Sequence, residues 1–228
     1  AYQEVKRFES DRKDLWESFP TVMVMEEMKE RRPTFRLNRG VYDNPAEEVF
    51  PGTPSILPPM PDGEKNRLTF ANWLVSPENP LMSRVTVNRY WQMYFGTGLV
   101  KTSDNFGSQG EFPSHPELLD WLATTFVESN WNVKELQRLI VTSATYRQSS
   151  VVSPELLEKD PENRLLARAT RMRLPAQMIR DQALSISGLL VENIGGPSVG
   201  PYQPDGLWDD IVERDQEYRL STGDDLYR

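Results

Sequence analysis

The chain contains one histidine, His115, within the sequence DNFGSQGEFPSHPELLDWL at positions 104–122. Histidine and aspartate are residue types that serve as general acids and bases, so the candidate catalytic residues are His115, Asp104 and Asp181. A single histidine acts in this way only with partners that the fold brings to it from other segments. The sequence does not identify those partners.

The residues around His115 also have a structural interpretation, which we favour. Ser114 to Glu117 reads SHPE and fits the capping-box pattern S-x-x-E, in which the Ser114 and Glu117 side chains each bond the other residue's backbone amide. Pro116 is favourable in a first helical turn, and an apolar helical pattern follows it. We therefore expect His115 at the first helical position, as part of a helix start rather than as a base or ligand.

Arg89 and Trp91 are weak candidates for ligand binding. They lie in segment 81–95, whose apolar and aromatic residues predict a buried helix. A buried arginine requires a carboxylate or several carbonyls as partners. We expect Arg89 to form a structural ion pair, and the alternative is that it faces a cleft and binds an anion. Three carboxylates are its candidate partners: Asp104, Asp120 and Asp181.

A second cationic group surrounds the start of the predicted helix 175–190. Arg171 and Arg173 precede this helix, and Arg180 lies within it. One interpretation is that these three arginines form an anion site, in which Arg173 and Arg180 are weak ligand-binding candidates. Solvated or paired arginines are the interpretation that we favour, since charged side chains usually remain at the surface.

Composition excludes several classes of site. Cysteine is absent, which excludes disulfides, thiol catalysis and thiolate metal sites within these residues. We expect no metal and no cofactor in this chain, and any metal would be held by oxygen ligands. The net charge of −8 argues against nucleic acid as a partner. The sequence contains no run of 18 apolar residues, so it predicts no membrane span.

Apolar periodicity predicts a mainly α fold, an irregular helical bundle with a small β-ribbon and a proline-rich extended arm. The helix at 66–76 should turn most of its apolar residues inward, namely Leu68, Ala71, Trp73, Leu74 and Val75. Glycines at 96 and 98 should end the second helix. The predicted helices of the main domain are 66–76, 81–95, 115–130, 133–150, 154–160, 162–170 and 175–190.

The first 62 residues have a different pattern. Residues 2–18 predict a charged amphipathic helix, and 21–25 and 34–40 predict two strands of a β-ribbon joined by a charged loop. Segment 43–62 is rich in proline and should run extended as a docked arm, anchored by four apolar residues: Val49, Phe50, Ile56 and Leu57. We predict that residues 1–62 pack on a helical domain, 63–228, that continues past residue 228.

Several long segments resemble one family: 37–54, 67–100, 103–123, 136–150, 160–174 and 179–190. They are similar to the planctomycete-type C-terminal domain PSD-one, a domain of unknown function. The resemblance implies no established catalytic residues. It does imply a place in a large exported protein, and therefore an extracytoplasmic location in the periplasm or at the cell surface. A haem-binding cytochrome c-like domain is expected elsewhere in that polypeptide.

We therefore expect a non-catalytic interaction or scaffold module. Its partners would be other domains of the same polypeptide, with a cell-envelope protein or polysaccharide as further candidates. The alternative is a carbohydrate-active or other hydrolytic domain that uses carboxylates near the 104–120 loop. Convergence of four residues in one open cleft would favour that alternative: Asp104, His115, Arg89 and Asp181.

Overall fold

The computed structural model of the protein describes residues 2–204, 206–207 and 218–228. The mainly α prediction is confirmed. The helices are α1 (Tyr2–Ser18), α2 (Arg67–Leu74), α3 (Met82–Phe95), α4 (Pro116–Glu128), α5 (Val133–Thr142), α6 (Pro154–Lys159) and α7 (Ala176–Ser187), and the strands are β1 (Thr34–Leu37) and β2 (Pro45–Val49). Short 3-10 turns occupy Asn38–Gly40 and Gly223–Tyr227. Within these ranges, no helix combines the length and the apolarity needed to cross a membrane.

Helices α3, α4 and α5 form the core. The buried apolar residues of α3 are Val87, Trp91 and Phe95, which are four apart and so lie on one helix face. The Trp91 and Phe95 rings stack with centroids 4.1 Å apart. Gly96 ends α3 with a φ of 76°, as predicted for a C-cap, and its N–H donates to the Gln92 carbonyl. The buried core residues are Val87, Trp91, Phe95, Leu99, Val100, Leu119, Leu122, Phe126, Leu136 and Ile140.

The β-ribbon exists, but its predicted partner strand was wrong. Strand β1 pairs antiparallel with β2, while residues 21–25 are exposed and form no strand. The chain reverses directly after β1, because Arg39 and Gly40 adopt left-handed conformations with φ of 51° and 74°. Across the ribbon, Arg36 donates to both carboxylate oxygens of Glu47, and this bond lowers the pKa of Glu47.

The proline-rich segment contains no helix: it supplies β2 and then turns at Pro54, whose carbonyl accepts from the Leu57 N–H at 3.0 Å. Its anchors differ from the predicted ones. Trp73 of α2 donates from Nε1 to the Pro58 carbonyl at 2.7 Å and is the buried residue of that helix. Phe50 and Ile56, predicted as anchors, are 77% and 91% exposed. The arm meets α2 at Trp73, and Leu57 and Met60 of the arm are half-buried. The other residues with wrong burial predictions are Val49, Leu68, Ala71 and Val75, which are also exposed.

A polar contact attaches the segment after α1 to the start of α2. The Glu27 carboxylate accepts from the backbone N–H of Arg67 at 3.2 Å and from its Nε at 2.7 Å. These hydrogen bonds lower the pKa of Glu27. A carboxylate is favourable there because the first N–H groups of a helix carry partial positive charge.

The division of the chain into two parts at residue 62 stays a prediction.

Helix α5 is shorter than the predicted 133–150. It ends at Thr142 because Ser143 adopts extended backbone, with φ −63° and ψ 150°. The Ser143 hydroxyl donates to the Ile140 carbonyl at 2.7 Å and accepts from the Tyr146 N–H at 3.1 Å. A serine hydroxyl that bonds nearby backbone competes with helical bonds, which explains the early end.

The predicted helix 162–170 is absent. Its backbone is turned by the buried Asp160, whose carboxylate accepts from the N–H groups of Arg164 at 2.7 Å and Leu165 at 2.8 Å. Asn163 and Leu166 have φ of 54° and 55°, which no α-helix tolerates. Local side-chain bonding therefore overrides the helical propensity of this segment.

Candidate functional site

His115 occupies the N-cap of α4 rather than the first helical position, and Pro116 follows it. Its Nδ1 lies 3.1 Å from the Ser114 hydroxyl oxygen. The predicted capping box was wrong, since α4 has no side-chain cap bond. Ser114 instead donates from its N–H and its hydroxyl to the buried Leu99 carbonyl, at 2.9 Å and 3.3 Å. These bonds direct Ser114 away from the Glu117 amide.

The candidate carboxylates each pair with a different arginine. The pairs are Asp104 with Arg89 at 3.3 Å, Asp120 with Arg84 at 2.7 Å and Asp181 with Arg180 at 3.6 Å. Of the three predicted partners of Arg89, Asp104 is therefore the carboxylate that pairs with it. The pair lies at the surface, where 63% of the arginine side chain and 96% of the aspartate side chain are exposed. The expected burial of Arg89 was wrong, and surface ion pairs contribute little to stability.

The catalytic and ligand-binding candidates do not meet in one place. Among the described residues, no hydrogen bond or ion pair joins His115, Asp104 and Asp181 to one another. Arg180 donates to the carbonyls of Leu226 and Arg228, each at 2.6 Å, and so holds the last 3-10 turn against α7. The two remaining candidates differ: Trp91 is buried in the core, and Arg173 is exposed.

Asn88 is a fully buried polar residue of α3 that was not among the predicted site residues. It is 0% exposed, and its amide donates to the Val100 carbonyl at 3.0 Å and to the Ser103 hydroxyl at 3.3 Å. Its carbonyl oxygen accepts from the Val100 N–H at 2.8 Å. Asn88 therefore fixes the chain that leaves α3. The burial of Asn88 could be predicted from the sequence, because Asn88 lies three residues before Trp91 and therefore on the same, buried face of α3. The neighbouring Arg89 is the more conspicuous residue.

The loop between α3 and α4 uses its polar groups for its own shape. The Thr102 hydroxyl donates to the Asn105 carbonyl at 2.8 Å and accepts from the Glu111 N–H at 2.9 Å. The Asn105 side chain accepts from the Gly107 N–H at 2.9 Å. In the described part of the chain, no group of three or more acidic or histidine residues is arranged to hold a metal ion.

Helix α1 presents an apolar surface that nothing in the described chain covers. Four apolar side chains of α1 fall within an arc of about 100° at 3.6 residues per turn, and Phe19 follows directly after the helix. They are the N-terminal stripe: Val5, Phe8, Leu15, Trp16 and Phe19, with exposures of 54%, 70%, 60%, 76% and 55%. No residue of α1 is buried. Residues 22–25, just beyond it, are apolar and also exposed.

A cleft of about 710 Å³ lies between the end of α3, the chain that follows α5 and residues 169–174. We call it the tyrosine cleft. The rings of Tyr94 and Tyr146 meet edge to face in its wall, with centroids 6.0 Å apart and an interplanar angle of 87°. Tyr146 also meets Phe95 edge to face at 5.8 Å, so the cleft wall continues into the core.

Comparison with known proteins identifies a family. A protein-family model described as PSD1, a protein of unknown function (DUF1553), matches residues 66–228. This range covers more than half of the chain and includes the helices α2 to α7. The N-terminal stripe lies before the matched range, and the tyrosine cleft lies within it. No curated protein and no solved structure matches the chain.

Proposed function

Because the chain belongs to the PSD1 family of proteins of unknown function, we propose that it is a non-catalytic interaction or scaffold module. It serves in an extracytoplasmic multidomain polypeptide, which carries a haem-binding cytochrome c-like domain elsewhere. The partner of the module is another domain of that polypeptide. The observation that carries this proposal is the uncovered N-terminal stripe.

An apolar stripe on an exposed helix requires a covering surface. Most helical stability in proteins comes from packing an amphipathic face rather than from intrinsic propensity. The pairs Arg7–Asp11 and Lys13–Glu17 support α1, but both are exposed and add little. Burial of the five stripe residues against a partner would supply the missing stabilisation.

The stripe also defines the chemistry of its partner. Arg12 falls in the middle of the same arc, between the apolar positions, and the described chain gives it no ion pair or hydrogen bond. The covering surface must therefore be apolar with a carboxylate near its centre. A second copy of this chain is disfavoured by its net charge of −8, whereas a tethered domain gains a high effective concentration.

Photo-crosslinking in the full-length polypeptide tests the proposal. A benzophenone amino acid at Phe8 should form crosslinks to an apolar segment of the same polypeptide, identified by mass spectrometry. The matched control places the same group at Ser10, about 160° away around the helix, where no such crosslink should form. Crosslinks to a second copy, to a separate envelope protein, or to nothing would contradict the proposal.

The haem and the location have direct readouts in the same preparation. We expect the full-length polypeptide to fractionate with the extracytoplasmic proteins of its host. It should also show the absorbance of a covalently attached c-type haem. This chain has no cysteine for such an attachment, so the haem must be held by another domain. A cytoplasmic protein without haem would contradict this part of the proposal.

The alternative is a hydrolytic domain that uses carboxylates of the 104–120 loop. Asp104 and Asp120 contact two arginines five positions apart on α3, so each carboxylate is held by its own ion pair. This separate pairing favours the scaffold role over a pair of catalytic acids. Turnover of a polysaccharide by the purified protein, abolished by Asp104→Asn and retained by Asp181→Asn, would establish the alternative.

A further inference from the structure

The tyrosine cleft has the size and lining of a small-molecule site. Its volume of about 710 Å³ falls within the range of known ligand pockets, roughly 300–1,000 Å³. Met172 and Leu174 supply apolar wall beside the two tyrosine rings. Tyr146 is held by edge-to-face contacts with both Tyr94 and Phe95, so its ring offers a fixed surface. A fixed aromatic surface binds a ligand at low entropic cost.

Most polar groups of the cleft have no partner in the described chain. This applies to the hydroxyls of Tyr94, Tyr146, Ser150 and Thr170. Gln148 differs, because its amide nitrogen donates to the Thr145 and Leu166 carbonyls, both at 2.9 Å. Those two bonds fix the amide and leave its oxygen as an acceptor. The cleft therefore offers several hydroxyls and one oriented amide oxygen, which suit a ligand rich in hydroxyl groups.

The charge of the cleft lining further restricts the chemical class of ligand that it can bind. Arg171 is the charged residue of the lining, and no carboxylate lines the cleft. Its guanidinium has no ion pair or hydrogen bond among the described residues. Burial, and to a lesser extent Tyr146 and Tyr90, raise the pKa of Tyr94, so this hydroxyl remains a neutral donor. One planar cation among neutral hydroxyls matches one carboxylate, which arginine binds through two parallel hydrogen bonds.

From this combination we infer that the tyrosine cleft binds a hexuronic acid residue, either free or within an acidic saccharide. The sugar ring packs on the tyrosines, its hydroxyls bond the neutral polar groups, and its carboxylate pairs with Arg171. A neutral sugar leaves Arg171 without a partner, and an aromatic acid leaves the hydroxyls unused. This ligand site is independent of the N-terminal stripe and of its partner.

Isothermal titration calorimetry on the purified full chain tests the inference. Galacturonate and a short oligogalacturonate serve as probes, so that free acid and saccharide are distinguished. Either probe should bind, while glucose and benzoate should not. Arg171→Gln should weaken binding at least about tenfold, because it removes the cation from a charge-assisted pair.

Two control variants, Arg173→Gln and Phe8→Asp, and one further cleft variant, Tyr146→Phe, make the outcome decisive. Arg173→Gln removes a neighbouring exposed arginine that does not line the cleft, and it should leave affinity unchanged. Tyr146→Phe keeps the ring contacts and should lower affinity several-fold by removing one hydroxyl. Phe8→Asp, in the N-terminal stripe, should not alter saccharide binding. No binding of either probe, or equal binding by Arg171→Gln and the unmodified chain, would overturn the inference.

Discussion

Two regions of this molecule treat their apolar residues in opposite ways. In α3, α4, α5 and residues 99–100, ten apolar residues are buried against one another. In residues 2–62, none is buried, and α1 with Phe19 presents five large apolar side chains in one stripe. Both regions have amphipathic helices of similar length. The difference lies in whether the described chain supplies a second surface.

This contrast separates the apolar residues that fold the chain from those available for association. The core helices cover each other and are fixed at their ends by buried polar groups such as Asn88. The N-terminal region is attached through polar contacts, from Glu27 to Arg67 and from Trp73 to Pro58. A region that lacks buried apolar contacts belongs to the low-stability part of a fold. We therefore expect mutations to affect the two regions unequally.

The largest difference should come from the same substitution made in both helices. Leu122 of α4 is 2% exposed and Leu15 of α1 is 60% exposed. Leu122→Ala removes buried methyl groups and leaves a cavity, so it should lower the free energy of unfolding by about 2–5 kcal/mol. Leu15→Ala should change it by less than about 0.5 kcal/mol. Denaturant unfolding of the full chain, followed by circular dichroism, measures both values.

The unfolding free energy of Leu15→Ala also tests whether the apolar stripe of α1 is exposed to solvent or packed against another surface. A loss of more than about 1.5 kcal/mol on Leu15→Ala would match the burial of an apolar side chain. The stripe would then be covered within this chain, or by a second copy, and the comparison between the regions would break down. Repeating the measurement across protein concentrations distinguishes those two cases, because only self-association depends on concentration.

Alanine substitutions at two glycines, one in each region, should give a difference in stability of intermediate size. A Cβ at Gly98 would lie 2.5 Å from the Asn88 amide nitrogen and 2.6 Å from the Val100 carbonyl oxygen. Gly98→Ala should therefore disrupt the Asn88 contacts and destabilise the chain by about 1–3 kcal/mol. A Cβ at Gly52 in the proline-rich arm meets only the Phe50 carbonyl oxygen, at 4.0 Å. Gly52→Ala should be neutral or slightly stabilising.

Thermal unfolding of both alanine variants gives the test. An unchanged melting temperature for Gly98→Ala would show that the junction after α3 adapts to a methyl group. A large loss for Gly52→Ala would show that the arm is as rigidly packed as the core.

The sequence predicted the core better than the site. The fold class and the positions of α3, α4 and α7 followed from helical periodicity, which reflects burial directly. The strand pairing did not, because residues 21–25 have a strand-like composition but the left-handed Arg39 and Gly40 reverse the chain after β1. The segment 162–170 has helix-forming residues, yet bonds to the Asp160 carboxylate determine its turns. Such bonds depend on individual side chains and leave no periodic signal.

The candidate residues show the same limit. Charged and titratable types draw attention in a sequence, and so Arg89, Asp104 and His115 were singled out. Two of them form a solvent-exposed pair, and the third occupies the N-cap position of α4 without a side-chain cap bond. The tyrosine cleft gathers residues from three separate segments, and its wall residues are ordinary in sequence. Their proximity depends on how the chain after α5 turns at Ser143, which no motif indicates.

The smallest expected effect concerns two exposed ion pairs, one in each region. Lys101 donates to Glu162 at 2.8 Å beside the core, and Arg36 pairs with Glu47 in the ribbon. The hydrogen bond from Lys101 holds the pKa of Glu162 below its usual value. A lowered folded pKa stabilises the fold above the unfolded pKa of glutamate, about 4.3, and this contribution disappears as pH falls through the folded value. Glu162→Gln should remove it.

We therefore expect Glu162→Gln to lower the melting temperature slightly at pH 7, with the difference from the unmodified chain vanishing in acid. Salt should reduce the difference, because both side chains are exposed. Glu47 also has a lowered pKa, caused by Arg36, but its pair lies in the region without a core. Glu47→Gln should leave the main thermal transition unchanged at every pH. An equal, pH-dependent loss in both variants would mean that the ribbon unfolds together with the core, and that polar contacts alone couple the two regions.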